Sequence, residues 1–299
     1  MSTHDTVMTK ILSGKEVAQS VYSDLENRIS PLAQDGVIPT LAAVIVGNDA
    51  ASQVYVRSKT RKFRELGLNS ETILLPGDST SEEIFSQIKE LNSDDRFHGV
   101  LVQLPLPKGT NSGKVLNSVT VEKDVDGFHP ENVGLLSSGS PRFIPCTPKG
   151  ILRILQYYGI ETAGKHAVVV GRSNIVGRPM SALLSAKSKD GNATVTVCHS
   201  RTADLSFYTR QADILIASAG SPGLITGEMI SNGAVVVDVG INRVTDDSEN
   251  GYSLVGDVDA KSVGGIASAL TPVPGGVGPM TIAMLVENTI EAAERSLSA

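Results

Sequence analysis

Tryptophan is absent from the 299 residues, and aromatic side chains make up only 4% of the chain. Its cores must therefore be filled by aliphatic side chains, which suits helices layered on sheets. Cysteine is as scarce: Cys146 and Cys198 are too few for a disulfide framework, and the N-terminal MSTHDTVMTK lacks the apolar core of a secretion signal. A reducing, cytoplasmic setting is expected. The longest apolar stretches, such as 42–46 and 167–170, fall far short of the roughly 20 residues that span a bilayer. Positive charge is also in deficit. Lys and Arg total 26 against 32 Asp and Glu, a formal net charge of −6, and nothing in that balance attracts a polyanion. Neither a membrane nor a nucleic acid is an expected partner. The remaining composition, 40% hydrophobic and 19% charged with a mean hydropathy of +0.03, is that of a globular chain, long enough for two domains.

Short Val/Ile/Leu/Ala runs recur at 41–46, 72–75, 99–104, 166–170, 194–197, 213–217, 234–239 and 266–270, separated by segments of helical spacing. Runs apolar at nearly every position are what strands buried on both faces require, so the alternation reads as α/β with parallel sheets. Val17, Val21, Leu25 and Ile29 mark one packing helix; Ile84, Ile88 and Leu91 mark another. A Ser/Gly/Pro-rich stretch near 137–149 predicts a domain boundary. The expected division is a domain over 1–147, a second over 148–278, and a last helix over 279–299 that packs back on the first. The second domain would open with a helix from about Thr147, with Pro148 in its first turn and Gly159 at its end.

The strongest local pattern is HAVVVGRSNIVGRPMSALL at 166–184, a buried strand, a turn carrying Gly171 and Gly177, and a helix. Such a unit can cradle a diphosphate, since bare glycines permit the tight turn and the helix start offers unpaired N–H groups. The spacing is G-x-S-x-x-x-G rather than G-x-G-x-x-G, so an ordinary strand-to-helix turn is the competing reading. After the next strand the chain reads His199, Ser200, Arg201, with no carboxylate to hold two ribose hydroxyls. Ser200 and Arg201 together with Arg172 would suit a 2′-phosphate, which favours NADP over NAD; solvated loop cations are the alternative. The runs ending at Gly220 and Gly240 bring backbone to the carboxyl edge of the sheet, where Ile241 would face the nicotinamide.

In the first domain, the helix over 51–67 carries Lys59 on the same stripe as Val56, Phe63 and Leu66, with Tyr55 one turn earlier. A dehydrated Lys is a proton carrier near neutral pH; a Lys whose stem packs while its head reaches water is the other possibility. Gln103 is the lone polar side chain between Val100 and Pro107, able to serve a site or cap a loop. Asp124 and Asp126 precede Gly127 as a turn first and a carboxylate site second. A metal at Asp124, Asp126, His129 and Glu131 finds no support in ligand spacing, so none is expected. The stretch Thr271 to Pro279 packs three Pro and three Gly before a helix. Stiff at its prolines and bare at its glycines, it could line a flat ligand.

Taken together, YVRSK at 55–59, VQLPLP at 102–107, KDVDGF at 123–128, PCTPKGI at 145–151, GRSNIVGRP at 171–179, DVGIN at 238–242, GDVD at 256–259 and TPVPGGVGPMT at 271–281 resemble, in order, the bifunctional methylenetetrahydrofolate dehydrogenase/cyclohydrolase family. The resemblance implies an N-terminal parallel-sheet catalytic domain and a Rossmann-like NADP-binding domain with a ligand cleft between them, in a cytoplasmic homodimer serving one-carbon metabolism and purine biosynthesis. It implies that Lys59 is the central catalytic residue, with Gln103 bonded near it. Tyr55 would stack on the aminobenzoate of a tetrahydrofolate and Asp126 would anchor the pterin. Val102, Leu104, Pro272, Gly275, Gly276 and Val277 would complete the folate contacts. Gly171, Arg172, Ser173, Ser200, Arg201 and Ile241 fall at the family's NADP positions. Two steps follow: hydride leaves 5,10-methylenetetrahydrofolate for NADP, and water then opens the methenyl cation to 10-formyltetrahydrofolate. The rival readings are a dehydrogenase without the second step, a hydroxy-acid dehydrogenase, and a non-catalytic binding protein.

Overall fold

The computed structural model describes residues 8–246 and 251–297, so most of the N-terminal stretch read for a secretion signal lies outside it. Two compact units emerge. Among the described residues, one gathers 19–146 and 282–297; the other gathers 8–18 and 147–281.

The first unit is built on three parallel strands, with Thr40–Val46 in the centre, Asn69–Leu75 on one side and Gly99–Val102 on the other. The central strand is buried along nearly its whole length, as a strand covered on both faces must be. Helix Ser81–Ser93 is fixed at its start by a reciprocal capping box between Thr80 and Glu83. It presents Ile84, Ile88 and Leu91 to Val44, Val46, Val100 and Val102. That aliphatic cluster is the core the lack of tryptophan demanded. Gly99 fits beneath Val125 because a Cβ there would lie 2.7 Å from a Val125 methyl.

In the second unit six strands pair in parallel, in the order Lys10–Ile11, Ala269–Leu270, Val235–Asp238, Ile214–Ala217, His166–Val170 and Thr194–Cys198. Val168, Val170, Leu215, Ala217 and Val236 form the centre of its core. Two features differ from the sequence reading. Residues 8–18 group with this unit rather than with the first, because Lys10–Ile11 bonds to Ala269–Leu270 and forms the edge of the sheet; an exposed two-residue strand carries no apolar run to announce it. An antiparallel hairpin, Asn242–Thr245 with Tyr252–Val255, also stands apart from the parallel sheet. The long helices Gly14–Gln34 and Val277–Ser296 each change unit along their length. Among the described residues no helix is long and apolar enough to cross a membrane.

Candidate active site

Helix Ala50–Glu65 begins where the Asp49 carboxylate accepts the Ser52 N–H at 2.7 Å, and it turns Ser52, Val56, Lys59 and Phe63 inward. Lys59 is 4% exposed, which removes the solvent-reaching alternative. Its Nζ donates to Gln103 Oε1 at 3.1 Å and lies 4.6 Å from the centre of the Tyr55 ring. Gln103 stands just beyond strand Gly99–Val102, held there by its N–H on the Val44 carbonyl at 2.9 Å. Its side-chain Nε2 donates to the Leu104 carbonyl at 2.8 Å, which turns Oε1 toward the amine.

Burial pushes the Lys59 ammonium below the usual lysine value, while Asp126 and Cys146 pull the other way. Burial likewise raises the Asp126 carboxyl, against the opposing pull of Lys59 and a hydrogen bond from the Cys146 thiol. Asp126 as a residue keeps some exposure, yet loss of solvation at its carboxyl outweighs both attractions. Desolvation thus drives both groups toward their neutral forms, an amine and a carboxylic acid. A neutral amine can donate to Gln103 and still keep a lone pair for a proton.

Asp124 has a different task. It is 4% exposed, and its carboxylate accepts the Phe128 N–H at 3.2 Å, the His129 N–H at 2.8 Å and the Asn132 amide at 2.8 Å. It closes the turn, as its place before Gly127 suggested. Burial raises its pKa to about 6. Asn288, on helix Val277–Ser296, carries no signal in the sequence pattern. Its Nδ2 donates to the Val125 carbonyl at 2.7 Å and the Ile144 carbonyl at 3.0 Å, pinning the backbone on which Asp126 and Cys146 stand. Val102 is 3% exposed and its side chain belongs to the core cluster, while Leu104 is half-buried.

In the second unit, the turn after strand His166–Val170 is closed so tightly that a Cβ on Gly171 would lie 2.3 Å from the Ser218 carbonyl oxygen. One on Gly177 would lie 2.2 Å from that of Gly171, so glycine is required at both. Ser173 Oγ accepts the N–H of Val176 at 3.1 Å and of Gly177 at 3.5 Å, at the start of helix Gly177–Ser185. Beside this turn opens a cavity of about 490 Å³, whose walls include Gly171, Arg172, Ser173, Ser200, Ser218 and Ser221 and no carboxylate. Arg172 and Ser200 are exposed. Arg201 is exposed as well but is not among the lining residues. A dinucleotide with a 2′-phosphate fits these walls, which offer a guanidinium, hydroxyls and bare backbone and oppose no negative charge. A second cavity, of about 190 Å³, is lined by Ile241, Pro272, Gly275, Gly276 and Val277. The stiff Pro/Gly stretch therefore borders the same hollow as Ile241.

The comparisons with known proteins follow the same division. Residues 12–126 match the family model for the tetrahydrofolate dehydrogenase/cyclohydrolase catalytic domain, and residues 145–297 match the model for its NAD(P)-binding domain. The chain belongs to the tetrahydrofolate dehydrogenase/cyclohydrolase family. The bifunctional protein FolD of Chlorobium chlorochromatii is 52% identical over 95% of this chain and 98% of its own. Among solved structures, the bifunctional FolD enzyme of Campylobacter jejuni is 46% identical with a TM-score of 0.90, covering 96% of this chain and 99% of that one. The Trypanosoma brucei enzyme, solved with NADP cofactor and an inhibitor, is 37% identical with a TM-score of 0.92, over 97% and 99%. Membership in the family sets the hydroxy-acid reading aside, because both halves of the chain match its models.

Two hollows of about 630 and 890 Å³ open around His98 at the other, amino edge of the three-stranded sheet. Two of the polar side chains there are engaged within the fold. Lys123 Nζ donates to the Leu91 and Asp94 carbonyls at 3.2 and 2.8 Å, and His98 Nδ1 accepts the Thr40 N–H at 3.2 Å. These contacts close a helix end and a sheet edge.

Proposed function

We propose that the protein oxidises 5,10-methylenetetrahydrofolate with NADP⁺ to the 5,10-methenyl cation and then hydrolyses that cation to 10-formyltetrahydrofolate. The observation that carries the hydrolytic half is Lys59, a buried amine bonded to Gln103 and driven toward neutrality by its surroundings. NADP⁺ enters as a second substrate and supplies an acceptor for hydride when bound. The chain's own contribution to that step is binding and orientation.

In the hydrolytic step one water adds its oxygen to the one-carbon bridge, one carbon–nitrogen bond opens, and one proton must leave. Lys59, with its lone pair available, takes that proton from the attacking water. Gln103 accepts an N–H from the amine and so fixes where the lone pair points. A neutral amine also avoids placing like charge against the cationic substrate, which a standing ammonium would repel. Tyr55 offers a ring face for the aminobenzoate and shields one side of the amine from water. Asp126, driven toward its acid form, can donate a hydrogen bond to the pterin.

Arg172 and Ser200 support a preference for NADP⁺ over NAD⁺, with Arg201 free to approach from the same turn. The cytoplasm, a homodimer and a supply of one-carbon units to purine biosynthesis complete this reading. Product analysis after incubation with methylenetetrahydrofolate and NADP⁺ tests it: NADPH and 10-formyltetrahydrofolate should accumulate together. Methenyltetrahydrofolate given alone should decay without nicotinamide. Persistence of the methenyl species would reduce the activity to dehydrogenation, and a strong preference for NAD⁺ would defeat the role given to Arg172 and Ser200.

A further inference from the structure

Two buried carboxylates tie together the loops that follow three strands of the six-stranded sheet. Asp257 is fully buried, a rare situation for an acid. Its Oδ2 accepts the backbone N–H of Ala219 at 2.6 Å and of Gly220 at 2.9 Å. Its Oδ1 accepts the Ser221 N–H and the Asn242 side-chain amide, both at 2.9 Å. Three successive N–H groups converging on one point make a nest, the backbone concavity that ordinarily receives an anion. Here the chain supplies the anion itself.

The linkage continues through backbone. The Asp257 N–H donates to Asp238 Oδ1 at 2.9 Å, and the Asp238 carboxylate also accepts from Gly240 and Val258, both at 3.0 Å. The Asp238 N–H donates to Thr271 Oγ1 at 2.7 Å. Glycine is forced at both crossings: a Cβ on Gly240 would meet Asp257 Oδ1 at 2.4 Å, and one on Gly256 would meet Asp238 Oδ2 at 1.7 Å.

The loops so joined are the walls of both cavities. Ser218, Ala219 and Ser221 line the larger, beside Gly171 and Ser200; Asp238, Gly240 and Ile241 line the smaller. A dinucleotide gripped at both ends binds well only if the two walls are held in register beforehand.

We propose that Asp257 is a positioning residue for the dinucleotide. It fills the 219–221 nest, which leaves the glycine turn 171–177 as the phosphate cradle, and through Asn242 and Asp238 it locks the wall around Ile241 to the wall around Ser218. This rests on the NADP site proposed above.

The test is a fluorescence titration with NADPH beside assays of both activities, in the wild type, Asp257→Asn, Asp257→Ala and Asn242→Ala. An amide cannot accept from all the groups that now share the carboxylate, so Asp257→Asn should weaken NADPH about ten-fold or more and raise KM for NADP⁺. Hydrolysis of methenyltetrahydrofolate, which uses no nicotinamide, should stay within about three-fold. Added formate should restore part of the NADPH affinity of Asp257→Ala by re-entering the nest, a rescue that general loss of structure would not allow. Asn242→Ala removes one donor only and should weaken NADPH about three-fold, which keeps the test decisive if the Asp257 variants do not fold. A folded Asp257 variant or Asn242→Ala that binds NADPH as the wild type does, or an equal fall in both activities, would overturn the proposal. A wild type that binds no NADPH would instead overturn the underlying assignment of the site.

Discussion

A lysine on the buried stripe of a helix forgoes solvation that an aliphatic side chain would never have needed. Lys59 is legible in the sequence for that reason, as the charged member of an otherwise apolar stripe. Gln103 is legible in the same way, as one polar side chain in an apolar run. Their distance and the amide's orientation are not, because both depend on the strand pairing that places Gln103 beside Val44. In its ionised form Asp126 favours the Lys59 ammonium, so a side chain that cannot ionise should lower the amine's pKa further. In Asp126→Asn the acid limb of kcat for methenyltetrahydrofolate hydrolysis, measured at saturating substrate, should therefore move to lower pH. A limb that stays in place or moves upward would separate Asp126 from the titration of Lys59. Asp238, Asp257 and Asn288 are not legible as functional groups, although the first two lie in motifs that carry the family resemblance. Their partners are backbone groups far along the chain, and periodicity carries no trace of those.

Strands buried on both faces announce themselves as unbroken aliphatic runs, and the runs at 41–46, 99–104, 166–170, 213–217 and 234–239 each hold a buried strand. The exposed pair Lys10–Ile11 and the half-exposed hairpin bury too little to leave that mark. Glycines divide by the same physical logic. Gly256 is wedged against Asp238, whereas Gly134 lies on helix Pro130–Ser137 with nothing within 4 Å of the point where a Cβ would stand. Gly256→Ala should cost on the order of 3–5 kcal/mol or prevent soluble accumulation. Gly134→Ala should stabilise by about 0.5–1 kcal/mol through helix propensity. Chemical denaturation of both variants checks this, and equal effects would contradict the packing described.

Across the whole molecule, burial leaves Asp124 and Asp238 with pKa values of about 6. Both are raised above the unfolded carboxylate value near 3.9. The folded chain therefore holds these protons to higher pH than the unfolded chain does. The stability they contribute is fully present below about 4 and is lost as pH rises through about 6, on the order of 3 kcal/mol for each. Carbon-13 titration of labelled aspartate carboxyls should find two groups changing protonation near 6, and a set in which every Asp titrates below about 5 would contradict it. The division into two units was legible in the Ser/Gly/Pro stretch near 137–149. That residues 8–18 join the second unit was not, since the contacts that place them there, such as the pairing of Lys10–Ile11 with Ala269–Leu270 and the Ser13 N–H on the Tyr158 hydroxyl, leave no mark in the sequence pattern.

In the proposed mechanism the hydrolytic chemistry turns on one buried amine, and replacing it by a side chain of similar length without the nitrogen addresses that directly. Lys59→Met should abolish the absorbance decay of methenyltetrahydrofolate while the variant still folds and still binds NADPH. Hydrolysis at a near wild-type rate in that variant would contradict the role given to Lys59.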